Sequence, residues 1–282
     1  MIDVGQGDST LIITPKNKKI LVDGGGSETY EVGENVVKPY LLKEKIIKLD
    51  YVIISHFDSD HVKGIIEILD DFYIDKIIIP QQFSESENYN TFNEIIKKEK
   101  LRVVIVEKGS KIKIEENLFI DILWPDSKNI INENGINNNS IVCKLIYKKF
   151  SILFTGDIES IAEKKLVEEY KNSEKLKSTV LKVGHHGSKS SSINEFLDLV
   201  KPQYAIIGVG ENNKFGHPNP GVIDRLEKID TKILRTDING EISLRVRNET
   251  TVNIEIWTML TLSDKIQTKI GRKKNRFQLK CI

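Results

Sequence analysis

Short apolar runs alternate with amphipathic stretches along most of the chain. Residues 9–14 and 19–23 read as two strands joined by a polar turn at 15–18. Residues 50–55 form an apolar run of the buried-strand type that stops abruptly in polar residues. A helical pattern then starts near Asp60 and turns Ile65, Ile66 and Leu69 inward. Another strand, 74–79, is stopped by Pro80. The spacing predicts a helix over 91–100 and strands over 101–106, 118–123, 140–147 and 151–154. A helix follows at 160–170, a strand at 178–183, a helix at 193–200 and a strand at 204–207. The helix at 218–229 has proline near its start. Strands at 232–235, 241–246 and 251–257 complete the pattern.

Strands precede helices, then strands pair with strands, then strands precede helices again. That order predicts a layered α/β protein with two sheets, not one doubly wound sheet. The asparagine-rich stretch 129–139 reads as a loop within one domain. One domain over 1–257 is expected, with a basic tail over 258–282. Of the 282 residues, 39 % are hydrophobic and 29 % charged, enough for a packed core. No apolar run approaches the roughly 18 residues of a membrane span. No leader pattern is visible at the start, and Cys143 and Cys281 make neither a metal spacing nor a disulfide framework. A cytoplasmic location is the expectation, and the sequence carries no sign of an oligomeric state.

The net charge of +1 by itself points to no polyanionic partner, but it is unevenly spread. From Thr261 onward the chain carries seven basic residues and one acid, so this end is +6 and the rest −5. Such an end can add salt-sensitive attraction to nucleic acid or anionic lipid. A solvated, poorly ordered terminus is the plainer account.

The chemistry concentrates at strand ends. His56-Phe57-Asp58-Ser59-Asp60-His61 puts four metal-ligand side chains within six residues, directly after a buried strand. Imidazole and carboxylate together suit Zn²⁺, Mn²⁺ or Fe. A solvated turn capped by Asp60 is the bland account of that cluster alone. Asp157 follows a second strand through Thr155-Gly156, and a carboxylate there can bridge two cations. Gly184-His185-His186-Gly187-Ser188 ends a third strand. Four of the five histidines thus fall in these clusters, and His217 lies just before a helix.

These motifs, in order, resemble the metallo-β-lactamase superfamily. The series is Asp3-Val4-Gly5-Gln6-Gly7-Asp8-Ser9, Leu21-Val22-Asp23-Gly24-Gly25, the His56–His61 cluster, Asn138-Asn139-Ser140, Thr155-Gly156-Asp157, Gly184–Ser188 and Gly216-His217-Pro218. More narrowly the chain is similar to the soluble metallo-β-lactamase-like domain of ComEC, the DNA-uptake channel of competent bacteria. The resemblance covers about residues 2 to 246 and implies a four-layer αββα sandwich with a two-metal centre at one edge. It implies His56 and Asp58 on the first ion, Asp60 and His61 on the second, Asp157 between them, and either His185 or His186 completing the second site. Asp58 stands where the superfamily has histidine, and Asn137–Asn139 stand near a further histidine ligand. The first site is therefore harder and should favour Mn²⁺ or Mg²⁺ over Zn²⁺. Similar proteins also carry a full strand ahead of the Asp3 run, so a truncated first strand or an upstream start is expected. The channel's membrane segments are missing from the sequence, so transport is not expected.

The implied activity is hydrolysis by a water that two divalent ions activate. Asp60 would act as ligand and orient the base. His217 would protonate the leaving oxygen or hold a phosphate oxygen, unless it merely packs beside Pro218. Ser188, Asn139 and Lys182 are candidate substrate contacts, with solvated surface lysine the plainer account of Lys182. Asp8 and Asp23 read as second-layer or turn residues. A phosphodiesterase acting on DNA is the leading expectation. A hydrolase of a small or cell-surface phosphodiester, of the phosphorylcholine-ester type, is the first alternative. A non-catalytic nucleic-acid-binding module using the basic tail is the second, and β-lactam hydrolysis fits less well.

Overall fold

A computed structural model describes residues 1–81, 86–247 and 254–259. Five strands form the first sheet: β1 (Thr10–Ile13), β2 (Lys19–Val22), β3 (Tyr51–Ile53), β4 (Ile77–Pro80) and β5 (Val103–Val106), in that spatial order. β1 and β2 pair antiparallel, Thr10 opposite Val22, and the rest of the sheet is parallel. The second sheet has seven strands: β6 (Lys111–Glu115), β7 (Leu118–Trp124), β8 (Val142–Tyr147), β9 (Phe150–Phe154), β10 (Val180–Lys182), β11 (Tyr204–Ile207) and β12 (Lys232–Arg235). It is antiparallel from β6 to β9 and parallel from β9 to β12. A hairpin, β13 (Glu241–Val246) with β14 (Ile254–Met259), pairs Glu241 with Met259.

The side-chain alternation of the strands makes the layers. Ile20 and Val22 face the second sheet, where they join Ile53, Ile78, Ile122, Cys143, Phe154 and Ile206 in one core. Leu21 lies between them in sequence, so the two-residue period sends it to the opposite face. There it packs with helix α1 (Lys38–Lys43) and helix α2 (Ser59–Ile68), together with Phe92 of helix α3 (Glu87–Glu99). On the outer face of the second sheet, Leu153, Leu181 and Ile207 pack on helix α4 (Ser160–Tyr170), helix α5 (Asn194–Val200) and helix α6 (Pro220–Lys228). Three apolar layers between four layers of structure give the αββα sandwich.

The expected elements need several adjustments. α3 starts at Glu87 rather than at 91, because the Ser86 hydroxyl accepts the Tyr89 N–H and caps it. α6 starts at Pro220, two residues late, because Asn219 caps the Gly221 N–H. α1 was not expected; its Pro39 falls at the first positions of the helix, where no N–H is needed. A wide turn at Gly33–Val37 leads into it. β6 was also missed. The last strand spans Ile254–Met259 rather than 251–257. Residues 260–282, the greater part of the expected basic tail, lie outside the described residues. Among the described residues no helix is long and apolar enough to cross a membrane.

Candidate metal centre

β3 runs parallel to β2 and β4, and β9 runs parallel to β10, so the loops after β3, β9 and β10 gather at one edge of the sandwich. After β3, Ile54 and Ser55 lead to His56, and Asp58 in extended conformation starts α2. After β9, Gly156 turns with φ +51°, and a methyl there would come within 2.6 Å of Ser140 Cβ. That close turn brings Asp157 inward. After β10, both His185 (φ 48°) and His186 (φ 52°) adopt left-handed backbone between two glycines. Each costs about 1–2 kcal/mol for a residue with a Cβ. The effect of the turn is to send His186 into the protein and leave His185 at the rim.

The inner groups converge closely. His61 Nε2 and His186 Nε2 are 3.2 Å apart. Asp157 places Oδ1 3.1 Å from His61 Nε2 and Oδ2 3.2 Å from His186 Nε2. Asp60 Oδ2 lies 3.2 Å from His186 Nε2. Four donors at roughly 2.0–2.1 Å from one tetrahedral ion lie about 3.3–3.4 Å from one another. The spacing of His61, His186 and Asp157 therefore fits one divalent cation, with Asp60 beside His186.

The far sides of the rings set their tautomers. His186 Nδ1–H donates to the Gly208 carbonyl at 2.7 Å. His61 Nδ1–H donates to Asp23 Oδ2 at 3.0 Å. The two Nε2 lone pairs then face each other, an arrangement that requires a proton or a metal ion between them. Such carboxylate and carbonyl partners are what metal-bound histidines use to fix ring orientation. Asp8 belongs to the same buried group of Asp8, His61, Asp157 and His186, each offering a donor atom within 4.8 Å of the others. Its oxygens, however, lie 3.7 Å from the Nδ1 atoms of His61 and His186. It sits behind the rings, so Asp60 is the better fourth donor.

The electrostatics agree. Burial works against a charge on every one of these groups. Even so, Asp157 and Asp23 hold His61 well above its usual range, and Asp157 with Asp8 pushes His186 up to about 10. The reverse holds for the carboxylates. The His186 contact and the His61 charge keep Asp60 below its ordinary value, and His186, His61 and Lys182 do the same for Asp157. The pocket stabilises positive charge at its middle.

A second cluster lies beside the first. Burial, reinforced by the His61 charge, pushes His56 well below its usual range. Ser55 Oγ gives its proton to Asp23 and so accepts from His56 Nδ1–H at 3.0 Å. His56 Nε2 is left with no hydrogen-bond partner, 3.8 Å from Asp58 Oδ2. Asp58 is raised by burial and then by Asp60. His185 stands on the other side, its Nε2 4.0 Å from Asp157 Oδ2 and its Nδ1 3.4 Å from Glu159 Oε1. His217 packs its ring 5.6 Å from His185, centroid to centroid, and burial lowers it to about 4.

Three expected substrate contacts are placed elsewhere. Lys182 is no solvated surface group: it is 3 % exposed, its ammonium paired with Asp8 and 3.0 Å from the Gly156 carbonyl. Burial lowers it, but Asp8 and Asp157 together raise it above its usual value. Asn139 spends its amide on its own loop, accepting from Ile131 N–H and donating to the carbonyls of Ile131 and Gly135. Ser188 is buried and its hydroxyl bonds Ser190 Oγ at 3.0 Å. The pairing of Asp8 with Lys182 was not expected, because it depends on a contact with β10 far along the chain.

The loop after His186 is held by another buried acid. Glu163 accepts the N–H groups of Ser192 (2.6 Å) and Ile193 (2.9 Å), and Arg225 donates to the Ser191 and Ser192 carbonyls. Burial outweighs the two N–H donors and raises Glu163 from 4.5 to about 7. Between those values the folded chain holds a proton that the unfolded chain releases, so this contribution falls as pH rises. Relative to Glu163→Gln, wild-type stability is expected to decline by about 3 kcal/mol between pH 4.5 and pH 7. Urea midpoints of both proteins across that range check it. A difference that does not change with pH would refute it.

Comparison with known proteins agrees with this geometry. The sequence model of the metallo-beta-lactamase superfamily matches residues 2–211. ComE operon protein 3 of Bacillus subtilis is 32 % identical over 261 residues, covering 88 % of this chain and 33 % of that protein. Recombination protein 2 of Haemophilus influenzae is 32 % identical over 242 residues, covering 86 % of this chain and 28 % of that protein. The chain thus spans about a third of the length of these curated relatives. Among solved structures, a variant of the CmlA β-hydroxylase, a protein of Streptomyces venezuelae, superposes with a TM-score of 0.54. It shares 11 % identity, with 82 % of this chain and 51 % of that one covered, which is a likeness of fold. With the family's sequence model matched over most of the chain and its αββα layers and buried His/Asp cluster in place, the chain belongs to the metallo-beta-lactamase superfamily.

Proposed function

We propose that the protein is a metal-dependent phosphodiesterase acting on DNA. The observation that carries the reading is the convergence of His61 Nε2, His186 Nε2 and Asp157 at 3.1–3.2 Å, with Asp60 Oδ2 3.2 Å from His186 Nε2. Asp60, His61, Asp157 and His186 would hold one ion; His56 and Asp58, with Asp157 shared, would hold the other. When bound, the ions supply Lewis-acid stabilisation and an activated water. With only His56 as imidazole ligand the first position favours Mn²⁺ over Zn²⁺. The name of the Haemophilus relative, a recombination protein, supports DNA as the substrate class.

The chain's own groups then divide the work. Asp23 and Gly208 fix the two imidazoles so that no reorganisation is needed when substrate arrives. Lys182 offsets the charge of Asp8 and Asp157 from beneath, away from substrate. His217 is neutral at pH 7 in the resting site. A phosphate beside it supplies the opposite charge that lets it hold a proton and pass that proton to the leaving oxygen. His185, at the rim and 3.4 Å from Glu159, would hold a phosphate oxygen.

The test is cleavage of end-labelled single- and double-stranded DNA by metal-stripped protein given Mn²⁺, Mg²⁺ or Zn²⁺, beside an Asp60→Ala control. Metal-dependent degradation that the control lacks is expected, with Mn²⁺ the most effective. Metal-loaded protein that leaves both DNAs intact would overturn the reading and favour a small phosphodiester.

A further inference from the structure

The ring chain that starts at His186 does not end at His217. The His186 and His185 rings are 6.4 Å apart, and His217 follows at 5.6 Å. Phe215 then stacks on His217 with centroids 5.7 Å apart and planes 26° from parallel. Phe215 is 66 % exposed. Single exposed apolar side chains are common and usually need no account. This one differs because the backbone that carries it is locked. Asn213 Oδ1 accepts the N–H groups of Phe215 (3.2 Å) and His217 (3.0 Å). Asn213 Nδ2 donates to the carbonyls of Gly210 (3.1 Å) and His217 (2.7 Å). One side chain thus spends its whole hydrogen-bonding capacity holding an aromatic ring in water. The ordering cost that a ligand would otherwise meet on binding is already met in the free protein.

We propose that Phe215, backed by His217, is a stacking platform for a nucleobase next to the phosphate at the metal centre. The proposal rests on the phosphodiesterase reading above and deepens it. A flat apolar ring accepts the face of any base, so it gives affinity for single-stranded nucleic acid without sequence preference. It also predicts that a splayed, unpaired base is preferred over a paired one, because a base inside a duplex has no free face.

The experiment uses the full chain loaded with Mn²⁺. Binding of a phosphorothioate thymidine oligomer and of an abasic oligomer of equal length is measured by anisotropy, for wild type, Phe215→Ala and Phe215→Trp. The alanine variant should bind the thymidine oligomer about 5- to 150-fold more weakly and the abasic oligomer unchanged. The tryptophan variant should restore binding, and its emission should be quenched by the thymidine oligomer alone. Equal losses for both oligomers, no loss for either, or no binding by wild type would overturn the platform. Normal DNA cleavage with base-independent binding would reject stacking and keep the phosphodiesterase reading. Base-dependent binding without any metal-dependent cleavage would do the reverse.

Discussion

Asp157→Asn is expected to lower the affinity of the centre for Mn²⁺ by more than about 100-fold and to abolish hydrolysis. Asp157 touches the facing Nε2 atoms of both imidazoles, at 3.1 and 3.2 Å, and it also lies 3.5 Å from the Lys182 ammonium. The substitution keeps the shape, removes the charge and puts an NH₂ where an oxygen faced a lone pair or a metal ion. Groups that touch only the far side of a ligand cost about 10–100-fold in metal affinity when lost. Asp23→Asn, which acts through His61 Nδ1, supplies that comparison and should lose less. Titration calorimetry with Mn²⁺ on the stripped proteins reads both, and circular dichroism shows that each is folded. Unchanged affinity in a folded Asp157→Asn protein would remove this carboxylate from the centre. So would a loss no greater than that of Asp23→Asn.

Much of this site is legible in the sequence because metal chemistry leaves residue types that cannot be exchanged. His56, Asp58, Asp60 and His61 stand out because four potential ligands follow a strand whose residues are all buried. The layers are legible for a similar reason. β2 is apolar at consecutive positions, which only a strand covered on both faces tolerates, and Ile20, Leu21 and Val22 do divide between two cores. The choice between His185 and His186 is not legible. It depends on two successive left-handed residues, and neither a strand period nor a helix period describes them. Lys182 was misjudged although its sequence held a warning: it lies inside the apolar run 178–183. A charge in a strand covered on both faces needs a buried partner. Asp8 is that partner, and 174 positions separate the two in the sequence. No element was expected around Pro39, where the helix Lys38–Lys43 carries its proline at the first positions, which tolerate it.

The second large effect concerns packing under the centre. Gly64→Ala is expected to destabilise the fold by about 3 kcal/mol, which for a chain of this size lowers the melting midpoint by roughly 6–12 °C. Helix propensity alone argues the opposite way, since glycine within α2 costs about 1 kcal/mol relative to alanine. Contact decides between the two. Gly64 N–H donates to the Gly25 carbonyl at 2.8 Å, and Gly24 N–H donates to the His61 carbonyl at 2.7 Å. Backbone lies on backbone here, and a methyl on Gly64 would overlap the Gly24 carbonyl oxygen. That oxygen cannot swing away as a side chain would, so either α2 or the end of β2 must shift. The first carries Asp60 and His61, and the second leads into Asp23. The variant should therefore also lose Mn²⁺ affinity, because its His61 to Asp23 hydrogen bond at 3.0 Å cannot survive a displacement of either partner unchanged. A thermal melt and a Mn²⁺ titration on the same sample check both parts. A variant that melts higher than wild type would mean that helix propensity wins and that the close approach of α2 to the Gly24 turn is not needed.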